Sequence, residues 1–146
     1  MTIKASLYDT DYYAWSLEQA ALLRAGAVQQ IDLENIAEEI ESMGKSEKKE
    51  LASRLRVLML HLLKWQFQPG GRGASWETTI KGQRLDIEEH LNDNPSLRPT
   101  LEEGIASAYR RTLIDAVGET RLPARIFPPA CPYSVAQMMD DGFWPD

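Results

Sequence analysis

The sequence predicts an all-α protein, an antiparallel helical bundle of about five helices closed by a proline-rich C-terminal strap. Three observations lead there. Apolar residues recur at i, i+3 and i+4 through most of the chain. Strand-type alternation is scarce, and short polar stretches rich in Gly, Pro and Asn separate the periodic segments. A chain of 146 residues fits one domain, so residues 1–146 are expected to fold together. Residues 1–8 are expected as a flexible N-terminus and 119–146 as the strap packed on the bundle.

The first helix is expected after Asp9 or Thr10 and to about Arg24, with Tyr13, Leu17 and Ala21 on one side and Gly26 as its stop. Asp32 offers an N-cap for a second, whose stripe is Leu33, Ile36, Ala37, Ile40 and Met43. Gly44 is expected to break it. Ser46 then caps a third helix to about Phe67, in which Leu51, Leu55, Leu58, Leu62 and Trp65 follow the spacing of packed helices. A second apolar line, Leu60, Leu63 and Phe67, makes this helix apolar on most of its circumference, as in the centre of a bundle.

Pro69-Gly70-Gly71-Arg72-Gly73 reads as a loop. Ser75 is expected to cap a fourth helix from Trp76 to about Leu91, with Trp76, Ile80, Ile87 and Leu91 inward. Asn92-Asp93-Asn94-Pro95 turns the chain into a fifth helix, about 96–117, closed by Gly118. Beyond it Pro123, Pro128, Pro129, Pro132 and Pro145 forbid a continuous helix. Ser134-x-x-Gln137 is a capping box for one short turn. Ile126, Phe127, Tyr133, Phe143 and Trp144 are too apolar for a free tail.

The lone Cys131 excludes an internal disulfide, and Met1–Thr10 has one Lys and no apolar run. No apolar stretch exceeds four residues, against about 20 for a membrane span. These features predict a soluble, cytoplasmic protein that does not enter a membrane. The formal charge is −6, unevenly spread: residues 45–84 hold nine Lys/Arg and three Glu, +6, leaving seven bases and nineteen acids elsewhere, −12. Pairing of oppositely charged helices explains this asymmetry most simply. A pI near 5.0 makes nucleic acid an unlikely partner.

Signatures of phosphate loops, metalloproteases and nucleophile elbows are absent. A carboxylate di-metal site requires Glu-x-x-His, but Leu58 precedes His61 and Ile87 precedes His90 at that spacing. Asp86, Glu89 and His90 could form a mononuclear site, yet a solvated helix end accounts for them more simply. Cys131, flanked by prolines, reads as a packing residue. No metal and no cofactor is expected.

The most informative cluster is His61-Leu62-Leu63-Lys64-Trp65-Gln66. His61 and Lys64 share a face of the most apolar helix, and Arg84 falls between Ile80 and Ile87 on an inward stripe. A buried guanidinium requires a partner, for which Glu38 and Glu41 of the acidic helix are the expected suppliers. Two readings stay open. One is a salt-bridge network that fixes helix register. The other is a pocket in which His61, Lys64 and Arg84 meet an anionic ligand or act in hydrolysis, with Trp65 and Trp76 as walls.

Asp11-Tyr12-Tyr13-Ala14-Trp15, Gln19–Arg24, Asp32–Glu41, His61–Gln66, Trp76-x-x-Thr79-Ile80, Pro95-Ser96-Leu97 and Cys131-Pro132-Tyr133 together resemble a bacterial family, the domain of unknown function numbered twenty-nine. The resemblance implies an α-helical protein and carries over no catalytic residue. The expected role is a non-enzymatic protein-interaction module, acting as a homodimer or on another protein.

Overall fold

A computed structural model describes residues 6–146. Six α-helices follow one another: α1 (Leu7–Thr10), α2 (Tyr12–Arg24), α3 (Leu33–Phe67), α4 (Ala74–Asp93), α5 (Leu101–Thr120) and α6 (Val135–Met139). Short 3₁₀ turns at Pro69–Gly71, Pro95–Thr100 and Ala124–Ile126 join them, and there is no strand among the described residues. The protein is therefore all-α. Of the expected flexible N-terminus, residues 1–5 lie outside the described residues, while Leu7 and Tyr8 belong to α1. The chain divides into two compact units, Met1–Ser46 and Glu47–Asp146.

In the first unit, α2 starts at Tyr12, after Thr10 as expected, and is capped by Asp11, whose carboxylate accepts the Ala14 N–H at 3.0 Å. It ends as expected at Gly26, whose φ of 71° suits a residue without Cβ. There the Gly26 and Ala27 amides donate to the Leu23 and Leu22 carbonyls at 3.0 and 2.9 Å, satisfying the last turn. The expected inward line of α2 is corrected: Tyr13, Leu17 and Ala21 are exposed, and Trp15 and Gln19 are buried. Polar partners decide the choice. The Trp15 indole donates to Asp32 Oδ2 at 3.0 Å, and Gln19 Oε1 accepts the Asp32 N–H at 2.7 Å. The Tyr8 and Tyr12 hydroxyls both donate to Glu39, and the Tyr8 ring meets Trp15 edge-on at 4.7 Å.

Helix α3 corrects a second expectation. It runs unbroken for 35 residues, with Gly44 and Ser46 inside it. A helical glycine costs only about 1 kcal/mol relative to alanine, and the Glu, Lys and Met residues on either side are strong helix formers. No residue of α3 before Leu51 is buried.

The second unit is built around the C-terminal part of α3, where Leu51, Leu55, Leu58, Met59, Leu62 and Leu63 are at most 3% exposed. Ile80, Ile87 and Leu91 of α4 and Ile105, Tyr109 and Ala116 of α5 complete the layer. Each fully buried Leu or Ile contributes about 1.5–3 kcal/mol. Glu47 meets His90 and Lys64 meets Trp76, so α4 runs antiparallel to α3. Arg56 pairs with Asp115 and Lys64 with Glu119, so α5 returns parallel to α3.

The cap of α4 is Gly73, one residue before the helix, rather than Ser75. Helix α5 passes through Gly118 and stops at Arg121, in the left-handed region with φ 60°. The strap buries Phe127, Tyr133 and Met138. Its capping box forms in both directions: Ser134 Oγ accepts the Gln137 N–H and Gln137 Oε1 accepts the Ser134 N–H. Among the described residues no helix is long and apolar enough to cross a membrane.

Candidate functional site

The segment His61–Gln66 lies in the last turns of α3, where Leu62 and Leu63 are fully buried. Their burial draws the neighbouring polar side chains against the core. Lys64 is 9% exposed; its Nζ stands 4.8 Å from the centroid of the Trp76 ring and 3.9 Å from Glu119 Oε1. A desolvated ammonium over an indole face is held by the ring quadrupole, which offsets part of its lost hydration. Trp76 in turn packs on Gly71, where a Cβ would come 2.3 Å from the ring. The loop glycine is therefore a steric requirement of the site.

Arg84 is 2% exposed. It does not pair with a carboxylate. Its Nε donates to the Met138 carbonyl at 2.7 Å and its Nη2 to the Phe143 and Gln137 carbonyls at 2.9 and 3.2 Å. Its carbon Cζ lies 5.7 Å from the Trp144 ring centroid. Burial pushes its pKa down from the ordinary value, while Asp141 and Asp140 pull it back up. The expected pairing with Glu38 or Glu41 is replaced because the strap turns its free carbonyls toward α4. Glu38 and Glu41 are exposed residues of the other unit.

Trp65 joins the same arrangement through Trp144, with ring centroids 4.7 Å apart. The Arg72 guanidinium carbon lies 5.2 Å from the Trp65 ring centroid, and its Nε donates to the Trp65 carbonyl at 2.7 Å. Arg72, Trp65, Trp144 and Arg84 thus form a sequence of cation, ring, ring and cation that ties loop, α3, strap and α4 together. Gln66 Oε1 accepts the Tyr133 hydroxyl at 2.7 Å, a further link to the strap.

His61 is separately held. Its Nδ1 lies 2.8 Å from the Val57 carbonyl one turn earlier, which makes Nδ1 the protonated nitrogen and leaves the Nε2 lone pair free. Burial lowers its pKa below 6.5, Lys64 adds to the lowering, and the Val57 carbonyl and Glu119 oppose it. The net effect favours the neutral ring over the charged one.

Of the expected cluster, the fold brings Lys64 and Trp76 together and connects Trp65 to Arg84 through Trp144. Arg72, Glu119 and Trp144 were not placed in the cluster by the sequence, which marks Arg72 only as a loop residue and Trp144 only as part of the strap. Of the Asp86, Glu89 and His90 trio, Glu89 is exposed as at a solvated helix end, but His90 is not. His90 is buried and faces α3, and Asp86 is held by Arg54 at 3.1 Å. Cys131 is pushed up by burial, away from the thiolate that nucleophilic chemistry needs. In the basic window Arg54, Arg56, Lys64 and Lys81 are all engaged in ion pairs within the second unit.

No curated protein and no solved structure matches the chain. A family model described as a domain of unknown function, DUF29, matches residues 7–144. That is nearly the whole length, so the chain belongs to the DUF29 family.

Proposed function

We propose that this protein is a non-enzymatic interaction module that docks through the apolar side of α3 between Leu33 and Met43, and that its partner is a second copy of itself. One observation carries the reading. Of twelve exposed large apolar side chains among the described residues, nine lie between Leu7 and Met43, in the smaller unit. Leu33, Ile40 and Met43 are 68%, 63% and 67% exposed, and with half-buried Ile36 they follow the 3-4-3 spacing of a packed helix seam. A contiguous apolar stripe of this kind marks an interaction surface. Two copies laid antiparallel about the middle of the stripe, between Ile36 and Ile40, set these apolar side chains of each against those of the other.

Light scattering on the wild type and on Ile40→Glu and Met43→Glu tests this. The wild type is expected to be dimeric and both variants monomeric with unchanged helical content by circular dichroism, because the side chains are exposed in the single chain. A monomeric wild type, or variants that stay dimeric, rejects the proposal.

A second reading rests on Arg84. Its Nη1 is buried without a hydrogen-bond partner, and the residue borders a cleft of about 560 Å³ with Lys81 and Asp141. A small anion that accepts from Nη1 would complete the guanidinium. Inorganic phosphate and small carboxylates should then raise the melting temperature by mass action, and Arg84→Lys should abolish the shift. No shift at millimolar ligand removes this reading.

A further inference from the structure

His90 is 8% exposed on α4, and both of its ring nitrogens face oxygens of α3. Nε2 lies 2.8 Å from the Glu47 carbonyl, an ordinary hydrogen bond that assigns the proton to Nε2. Nδ1 then presents a lone pair, and it points at Glu50 Oε2 from 3.5 Å. Glu47 Oε2 is also close, 3.6 Å from Nε2. One ligand atom from each of Glu47, Glu50 and His90 lies within 4.8 Å of the other two.

The 3.5 Å spacing is informative. A lone pair facing a carboxylate oxygen is repulsive unless a proton or a metal cation lies between them. A proton-bridged imidazolium–carboxylate pair closes to about 2.7–2.9 Å. Two ligands about 2.0–2.2 Å from a tetrahedral zinc ion stand roughly 3.4 Å apart. The observed 3.5 Å is longer than the first and leaves room for the second.

We propose that Glu47, Glu50 and His90 form a binding site for a divalent transition cation of the zinc type. Imidazole with carboxylate selects such an ion over magnesium or calcium. His90 Nδ1 and Glu50 Oε2 are the primary ligands, the Glu47 carboxylate is the third, and water takes the fourth position. Glu47 and Glu50 are three apart on α3 and so share a face. Their side chains are 48% and 44% exposed, which leaves a path for the ion.

The surroundings are those of a supported metal site. The Glu47 carbonyl orients the imidazole through Nε2–H, the outer-shell contact that metal-bound histidines depend on. Arg54 donates to the other oxygen of Glu50, Oε1, at 3.0 and 3.3 Å, which turns Oε2 toward His90. The Arg54 charge opposes a cation, and Asp86, bonded to Arg54 at 3.1 Å, offsets it. The bound ion would clamp α3 to α4 at the end of the second unit opposite the Lys64–Trp76 contact. The site departs from the sequence expectation of no metal, and it is independent of the docking stripe.

Calorimetric titration of the full chain with zinc chloride, paired with thermal unfolding, provides the test. Wild type is expected to bind one equivalent and to melt at higher temperature with zinc. His90→Gln and Glu50→Gln should lose both effects, while Glu89→Gln, on an exposed part of α4 outside the site, retains them. Cobalt substituted for zinc should give the visible absorption of a tetrahedral site, absent in Glu50→Gln. Glu50 is half exposed, so that variant keeps the test valid if His90→Gln fails to fold. No bound equivalent in the wild type, or zinc binding unchanged in both variants, overturns the proposal.

Discussion

Lys64 and Trp76 are bound face to charge, the ammonium 4.8 Å from the centre of the indole. The contact joins the C-terminal end of α3 to the first turn of α4. It depends on a third residue, since the Trp76 ring occupies the space where any side chain on Gly71 would begin.

Gly71→Ala is therefore expected to displace Trp76 and to destabilise the protein by about 1–3 kcal/mol, the usual cost of overpacking. Trp76 fluorescence and denaturant unfolding measure the two effects. Gly70→Ala, with open space around its Cβ position, serves as the control and should change neither. Equal effects at both positions would show that the ring does not depend on Gly71.

Arg84 is expected to resist apolar replacement. Its partners are backbone carbonyls of the strap, which no compensating mutation can remove. Arg84→Met should leave buried acceptors unpaired, each at about 1–3 kcal/mol. Arg84→Lys should recover only part of the loss, because an ammonium cannot span the positions that the planar fork reaches. Chemical denaturation of both variants decides the matter; a neutral Arg84→Met would contradict the bonding described above.

His61 should titrate below 6.5, as burial and Lys64 both disfavour its charged form. A group whose native pKa is depressed stabilises the fold above its unfolded pKa, and that contribution is lost as pH falls through the native one. Stability should accordingly decline on acidification from 6.5 downward. NMR titration of the ring should show Lys64→Gln raising the pKa and Glu119→Gln lowering it further. Shifts of the opposite sign would mean that His61 lies outside the field of these two charges.

Glu39 governs the first unit from both ends of the pH scale. The phenols of Tyr12 and Tyr8 hold its carboxyl below the ordinary 4.5, so its contribution is present above that value and fades in acid. Tyr8 is pushed up to about 12, chiefly by its hydrogen bond to Glu39. Its contribution is complete below 10 and disappears as pH rises through about 12. Glu39→Gln should return the phenolate absorbance transition toward 10 and remove the acid-side loss. An unchanged alkaline titration would break the link.

The helical class, the breaks near residues 69–73 and 94–95 and the buried face of residues 51–67 were legible in the sequence. They depend on local periodicity, which a single stretch of chain expresses by itself. The capping box at Ser134 and Gln137 and the glycine stop at Gly26 were legible for the same reason. The continuity of α3 through Gly44 was not, because a breaker of about 1 kcal/mol is outweighed by favourable residues on either side. Nor was the choice of Trp15 and Gln19 over Tyr13 and Leu17, since both lines of α2 are periodic and only Asp32 selects between them.

Sequence alone determined which residues carry ionisable groups into apolar helices: His61, Lys64 and Arg84. Tertiary structure alone decided what each meets there. The Arg84 partners lie 53 to 59 residues away, and His90 finds Glu47 across 43 residues of chain. A buried charge must find a partner, but the requirement specifies neither carboxylate, carbonyl nor ring. The packing of the strap and the register of α3 against α4 supply that choice, and both arise from contacts that no local pattern records.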